Sequence, residues 1–295
     1  MNPKDIKTTS DIEVFENESL SKYSYMKTGG IARKIIFPLS AESFIEAVRN
    51  EDVYIFGNCS NVLFPDSEIE KTILLTTKLK GISLSQEGEY TFITAEAGAS
   101  LSAVSKLAME NSLTGLEFAH GIPGTVGGAV YMNAGAYERE IKDVFHFCRC
   151  IDENGNETTL DFSQMEFSYR KSVMQDKKII LISATFKLKK GEKSQIKAYM
   201  NELMQKRRDK QPLEYPSVGS FFKRPKGHFA AKLIEDAGLK GYSIGGAQVS
   251  EKHAGFVINK GGATTEDILK LSEHIKKTVY EKCGIVLEEE VKIIK

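Results

Sequence analysis

Residues 118–137, FAHGIPGTVGGAVYMNAGAY, run for twenty positions without an Asp, Glu, Lys or Arg and spend five of them on glycine. About 20 uncharged residues reach the length of a membrane span. Here Asn133 and His120 would have to enter hydrocarbon, each interior glycine costs a helix roughly 1 kcal/mol against alanine, and Pro123 costs about 3 kcal/mol. A flexible linker is excluded as well, because Ile122, Val126, Val130, Tyr131, Met132 and Tyr137 stand where a linker carries Ser and Gly. The stretch therefore reads as a poor helix and a buried or half-buried loop, its glycines permitting unusual dihedrals and close backbone approach.

A chain of 295 residues has room for two domains of roughly 150 residues each, or one large domain with an appendix. Forty basic and forty acidic residues cancel, so no global field favours nucleic acid or an anionic membrane, and any anion site must be local. Cys59, Cys148, Cys150 and Cys283 form no CxxC and have no His at zinc-ligand spacing, which points to reduced thiols and no metal. The N-terminal residues, rich in acids and without an apolar core segment, are neither a secretory signal nor a basic transit peptide, so a cytoplasmic location is expected.

Short β-rich runs (IARKIIFP, VYIFG, TILLTT, YTFITAEAG, FHFCRCID, KIILISATFKLK) alternate with amphipathic helical patterns at SAESFIEAVRNE and SLSAVSKLAMENSL, an α+β or α/β arrangement with mixed strands. A charged helix from Lys193 to about Lys210 is broken by QPLEYPSVGS, the best domain boundary. Beyond it, FAAKLIEDAGL predicts a helix closed by Gly238, HAGFVINKG a strand, and TTEDILKLSEHIKKTVYEKCG a long helix. That last helix has Thr264 or Thr265 at its start and Gly284 at its end, before a final strand IVLEEEVKII. The C-terminal part is thus a small α/β domain.

Two glycine loops carry ligand-binding potential. Gly57, Asn58, Cys59, Ser60 and Asn61 follow the apolar run VYIF, and such a turn can aim consecutive N–H groups at a phosphate; by itself it reads better as an ordinary tight turn. Neither a P-loop nor a Rossmann fingerprint is present. Gly121, Gly124, Gly127 and Gly128 recur at nearly three-residue spacing, and two such loops together suit a long ligand with a diphosphate and an aromatic ring.

GLEFAHGIPGTVGGAVYMNAGAY, with GNCSN, FSYRKS, PSVGSFFKRP and the terminal LEEEV, resembles the UDP-N-acetylenolpyruvoylglucosamine reductases (MurB), in their second structural type, which lacks an inserted tyrosine loop. The resemblance spans nearly the whole chain in order. It implies an α+β fold with an FAD-binding module of the vanillyl-alcohol-oxidase type in two subdomains, residues 1–80 and 81–205, and a substrate-binding C-terminal α/β domain, residues 206–295. By the same resemblance, residues 57–61 hold the FAD diphosphate. Ile122, Pro123, Gly124, Thr125, Gly127, Gly128, Asn133, Gly135 and Ala136 line the remainder of the cofactor. The family usually has glycine at position 59, so the Cys59 thiol must point away from the phosphate.

An arginine after a tyrosine is by spacing alone a solvated residue, but the motif places Arg170 at the family's active-site arginine, with Tyr169 beside it. Ser220 falls at the proton donor and Glu290, just before Val291, at the catalytic carboxylate. In an extended run Glu288 and Glu290 share a face and Glu289 takes the other. Lys223, His228 and Lys240 align with substrate contacts. The activity implied is reduction of UDP-N-acetylglucosamine enolpyruvate to UDP-N-acetylmuramate for peptidoglycan precursor synthesis, with NADPH and FAD, by a monomer that binds neither nucleic acid nor membrane. Two alternatives stay open from the residues alone: another oxidoreductase on the same FAD module, and a nucleotide-sugar binder that has lost its cofactor.

Overall fold

The computed structural model describes residues 7–9 and 11–295; apart from 7–9, the first ten residues, on which the reading of the N-terminus rests, lie outside that set. The fold is α+β. Six α-helices occur among the described residues: α1 (Ala41–Asn50), α2 (Leu101–Glu110), α3 (Val126–Tyr131), α4 (Lys193–Lys210), α5 (Ala230–Asp236) and α6 (Thr265–Cys283). None is long and apolar enough to cross a membrane.

The chain divides into two units. The first comprises the residues up to Glu16, Lys34–Asn58 and Lys71–Lys206; the second comprises Asn17–Arg33, Cys59–Glu70 and Arg207–Lys295. Residues 207–295 thus share the second unit with two short N-terminal segments.

In the first unit a mixed sheet runs in the order Lys7–Thr9, Ile12–Ser19, Ile31–Pro38, Ile73–Leu75, Tyr54–Phe56, its last three strands parallel. Apolar residues of α1, Phe44, Ile45 and Ala47, pack with Ile36, Leu74, Ile151 and Ile182. Ser40 starts α1 as the sequence indicates: its hydroxyl accepts from Ser43 N at 3.1 Å while Ser43 Oγ accepts from Ser40 N at 3.2 Å, satisfying donors that a helix start leaves open.

A second, antiparallel sheet orders Glu157–Asp161, Phe145–Ile151, Ile180–Lys190, Tyr90–Glu96 and Ile82–Glu87. Tyr90–Glu96 alternates buried and half-buried residues, and its inner face shares a core with Val104 of α2 and Val126, Ala129 and Val130 of α3. The uncharged stretch is not all loop, since α3 lies in its middle. Thr125 caps it, and Gly127 N donates to Ala97 O at 2.8 Å. Tertiary packing thus outweighs the roughly 1 kcal/mol that each glycine costs a helix.

The second unit is built on an antiparallel sheet ordered Ser217–Ser220, Phe256–Asn259, Ala247–Val249, Ser243–Ile244. Ile268, Leu271, Ile275 and Val279 recur at helical spacing along α6 and bury against Val249, Val257 and Ile234. The long strand expected at the C-terminus is not continuous. Only Lys292–Ile293 is a strand, parallel to Val62–Leu63, because the segment changes partner: residues 288–290 pair instead with residues 221–223.

The start of α6 shows how residues 59–70 come to belong with the C-terminus. Of the two threonines that could start the helix, Thr264 is the cap, and it bonds reciprocally with Asp267. The next two donors, Thr265 N and Glu266 N, go to the carboxylate of Asp66, each at 2.9 Å. Thr265 Oγ1 donates to Phe64 O at 2.7 Å. A carboxylate is favoured here twice over, by the hydrogen bonds and by the positive end of the helix dipole. Asp66→Ala is expected to lower stability by about 1–2 kcal/mol, read as a lowered urea midpoint. The exposed neighbour change Glu68→Ala should shift stability by less than about 0.5 kcal/mol, and equal effects of the two would reject the cap.

Candidate functional site

In the first unit the two glycine loops meet. Asn58 Nδ2 donates to Pro123 O at 2.9 Å. Gly57 lies so close to Thr125 that a Cβ added to it would stand 2.0 Å from Oγ1. Thr125 itself is buried and accepts from Gly128 N at 3.4 Å. Other glycines of the stretch serve the chain rather than open space: a Cβ on Gly127 would press against Ala97 O at 3.1 Å. The first N–H groups of α3 are engaged internally, Val126 N with Ala99 O and Gly127 N with Ala97 O, so they are not available to an anion.

Cys59 has φ of +49°, the left-handed region, while Asn58 and Ser60 do not. A non-glycine residue here costs roughly 1–2 kcal/mol, the physical reason glycine is the usual choice at such a position. The Cys59 side chain is buried, and burial pushes its thiol up to about 12, leaving it neutral and inert at physiological pH. In the first unit, bare backbone at Gly57 and the bond from Asn58 to Pro123 fit the close approach that a dinucleotide cofactor needs.

Arg170 belongs to the first unit and occupies a tight turn. Ser168 N donates to Lys171 O and Lys171 N to Ser168 O, both at 3.1 Å, and Arg170 has φ of +56°. Gln175 Nε2 donates to its carbonyl at 2.8 Å. Its guanidinium lies 5.0 Å from the ring centre of Tyr169 and donates from Nη2 to Gly135 O at 3.1 Å. The loop of residues 133–136 is thereby joined to Arg170. Glu140, which the sequence reading did not single out, is 3.9 Å from Nη1; no motif marks it, and its signal is only its place opposite Gly135 in a two-residue strand pair.

The second unit gathers Ser220, Glu290 and Asn61. Gly219, at φ of +81°, and a register break between Ser217 and Ser220 leave Ser220 exposed at the strand end, where bulges commonly re-aim side chains. Phe221, the next residue, accepts from Glu290 N at 2.8 Å. Asn61 Nδ2 donates to Glu290 O at 3.2 Å, and Asn61 O accepts from Lys292 N at 3.0 Å. The Glu290 backbone is thus held on both sides.

The three neighbouring glutamates separate by environment. Glu288 is exposed and pairs with Lys223 at 3.1 Å. Glu289, on the opposite face as the alternation requires, accepts from Ser272 Oγ at 3.0 Å and Lys276 Nζ at 2.9 Å. Partial burial raises its pKa, but the bonds from Lys276 and Ser272 outweigh this and hold it below the ordinary value. Glu289 is therefore a structural anchor. Of the other expected substrate contacts, His228 is exposed, and Lys240 is exposed and paired with Glu235 at 2.9 Å.

A family model described as UDP-N-acetylenolpyruvoylglucosamine reductase, C-terminal domain, matches residues 211–294, and one described as FAD binding domain matches residues 32–161. The UDP-N-acetylenolpyruvoylglucosamine reductase of Caldicellulosiruptor saccharolyticus is 48% identical over 291 residues, covering 96% of this chain and 93% of its own. That of Clostridium perfringens strain SM101 is 46% identical over 287 residues, covering 96% and 93%. The crystal structure of UDP-N-acetylenolpyruvylglucosamine reductase from Thermus caldophilus is similar with a TM-score of 0.82 at 29% identity, covering 96% of this chain and 99% of that one.

Two expected outcomes follow from the geometry. Gly57→Ala should force Thr125 from its capping position, at about 1–2 kcal/mol of stability and roughly tenfold in FAD affinity, measured by thermal melting and flavin titration. FAD affinity equal to wild type would remove Gly57 from the cofactor's surroundings. Because Glu289 titrates lower folded than unfolded, its stabilising contribution is complete above its unfolded pKa of about 4.3 and fades as pH falls through its folded value. Stability of Glu289→Gln should accordingly vary less than wild type with pH in that acidic window; parallel profiles would reject the assignment.

Proposed function

Because the chain belongs to the UDP-N-acetylenolpyruvoylglucosamine reductase family of flavin-dependent oxidoreductases, we propose that it uses NADPH to reduce UDP-N-acetylglucosamine enolpyruvate to UDP-N-acetylmuramate, a cytoplasmic step in peptidoglycan precursor synthesis carried out by a monomer. The fold is the FAD-binding module of that family followed by its C-terminal domain. In this reading Gly57, Asn58, Cys59, Ser60 and Asn61 hold the FAD diphosphate, and residues 122–128 and 133–136 flank the rest of the cofactor. When bound, FAD supplies two-electron redox chemistry between NADPH and the enolpyruvyl double bond.

The protein's own part is to place charge and a proton. Reduction of the terminal enolpyruvyl carbon leaves enolate charge on the adjacent carbon and its carboxylate. Arg170, planar and permanently charged, binds that carboxylate and offsets the developing charge. Ser220 gives its hydroxyl proton to the carbon; a hydroxyl is a weak acid and serves because an enolate carbon is a strong base. Glu290 stands near the enolpyruvyl group, orienting the reacting carbons or assisting that protonation. Tyr169, Lys223, His228 and Lys240 contact the substrate.

The observation that supports this reading most is the hydrogen bond from Glu290 N to Phe221 O at 2.8 Å. It brings together two motifs almost seventy positions apart in sequence whose only shared chemistry is an acid next to a hydroxyl. Ser220→Ala is expected to slow oxidation of the reduced enzyme by the UDP-sugar enol ether by about 10²-fold or more, with reduction by NADPH changed less than about twofold, in anaerobic stopped-flow absorbance. Equal slowing of both half-reactions would refute the role of Ser220. A protein that stays colourless after incubation with FAD would refute the whole scheme.

A further inference from the structure

The Arg170 guanidinium is only 18% exposed, and so is nearly the same fraction, 19%, of the Glu140 side chain beside it. Two half-buried charges at 3.9 Å attract with little screening. What distinguishes Glu140 is how firmly it is itself held. Its Oε2 accepts from Asn133 Nδ2 at 3.0 Å and pairs with Lys142 Nζ at 2.8 Å, leaving Oε1 toward Arg170. Its backbone N donates to Asp143 Oδ2 at 3.0 Å, and Asp143 in turn pairs with Arg139 at 3.8 Å.

Asn133 links this carboxylate to the turn that carries Arg170. It is wholly buried, adopts φ of +43°, and donates from the same Nδ2 to Ser168 O at 2.9 Å, while its Oδ1 accepts from Lys142 N at 3.0 Å. One amide thus fixes both the Glu140 carboxylate and the first residue of the Arg170 turn. Gly135 O, the acceptor of Arg170 Nη2, is in the strand paired with Glu140. One short piece of chain therefore faces the guanidinium at two corners, a carbonyl hydrogen-bonded at 3.1 Å and a carboxylate 3.9 Å away.

We propose that Glu140 is a positioning residue for Arg170: its carboxylate, locked by Asn133 and Lys142, holds the guanidinium in one orientation, so that it meets the substrate carboxylate without reorganisation. The inference rests on the reading of Arg170 as the substrate's carboxylate partner. Glu140 touches no reacting atom and acts only through the arginine.

The test is a double-mutant cycle of Glu140→Gln and Arg170→Ala in the FAD-loaded enzyme, following both half-reactions and, by calorimetry, the binding of UDP-N-acetylmuramate. Glu140→Gln alone should slow oxidation of reduced enzyme by substrate about 10–100-fold and weaken product binding, with reduction by NADPH changed less than about twofold. In the Arg170→Ala background it should add less than about twofold to either measurement. An equal cost in both backgrounds, or equal slowing of the two half-reactions, overturns the positioning role. Arg170→Ala that leaves oxidation by substrate and product binding intact instead overturns the reading of the arginine. If Glu140→Gln does not load FAD, Glu140→Asp enters the same cycle with the same outcomes.

Discussion

A missing side chain at Gly57 is the constraint on which the candidate cofactor surface of the first unit depends. With a Cβ 2.0 Å from Thr125 Oγ1, the strand ending at Phe56 could not approach the start of α3, Thr125 could not cap that helix, and Asn58 would not reach Pro123. Each of these contacts is worth about 1–2 kcal/mol on its own. Their common requirement is a distance of approach that only backbone can make, so they stand or fall together. Gly127 against Ala97 repeats the device. Glycine here is an instruction about proximity more than about flexibility.

The second unit solves a different problem, how to give adjacent glutamates different surroundings. Residues 288–290 pair with residues 221–223, and the Glu290 backbone is engaged on both sides, by Phe221 and Asn61. These bonds fix the position of the residue through its main chain. Glu289 shows the contrary use of the same residue type: its carboxylate is engaged by Ser272 and Lys276, which stabilises the fold and removes it from any catalytic role. Alternation of side chains along an extended segment is what lets adjacent glutamates take such different tasks.

Much of this could be read in the chain before folding. The starts of α1 and α6 follow from Ser40 and Thr264, because a capping side chain and its helix are adjacent in sequence. That the two glycine loops suit one long ligand was readable from their composition; that Asn58 bonds to Pro123 was not. Asp66 at the first turn of α6, and the membership of Asn17–Arg33 and Cys59–Glu70 in the C-terminal unit, were not, since those contacts join residues some 200 positions apart and leave no periodic trace. The final strand was overread for a related reason: an alternating pattern shows that a segment is extended, but not that it keeps one partner. Within the uncharged stretch, propensity argued against a helix that packing nonetheless forms.

Strain marks what composition could not. Among the described residues, nine that are not glycine have positive φ, and four of them, Asn133, Tyr137, Glu138 and Arg170, lie in the two segments joined at Gly135 and Ser168. Each such residue costs roughly 1–2 kcal/mol, so their concentration has to be held by compensating bonds. Those bonds are visible: Asn133 uses both ends of its amide, Gln175 holds the Arg170 carbonyl, and Tyr137 OH donates to Leu203 O at 2.9 Å. A glycine in place of Arg170 would relax the turn and lose the guanidinium. An arginine thus occupies a position suited to glycine, and the bonds to Gly135 and from Gln175 are what hold it there.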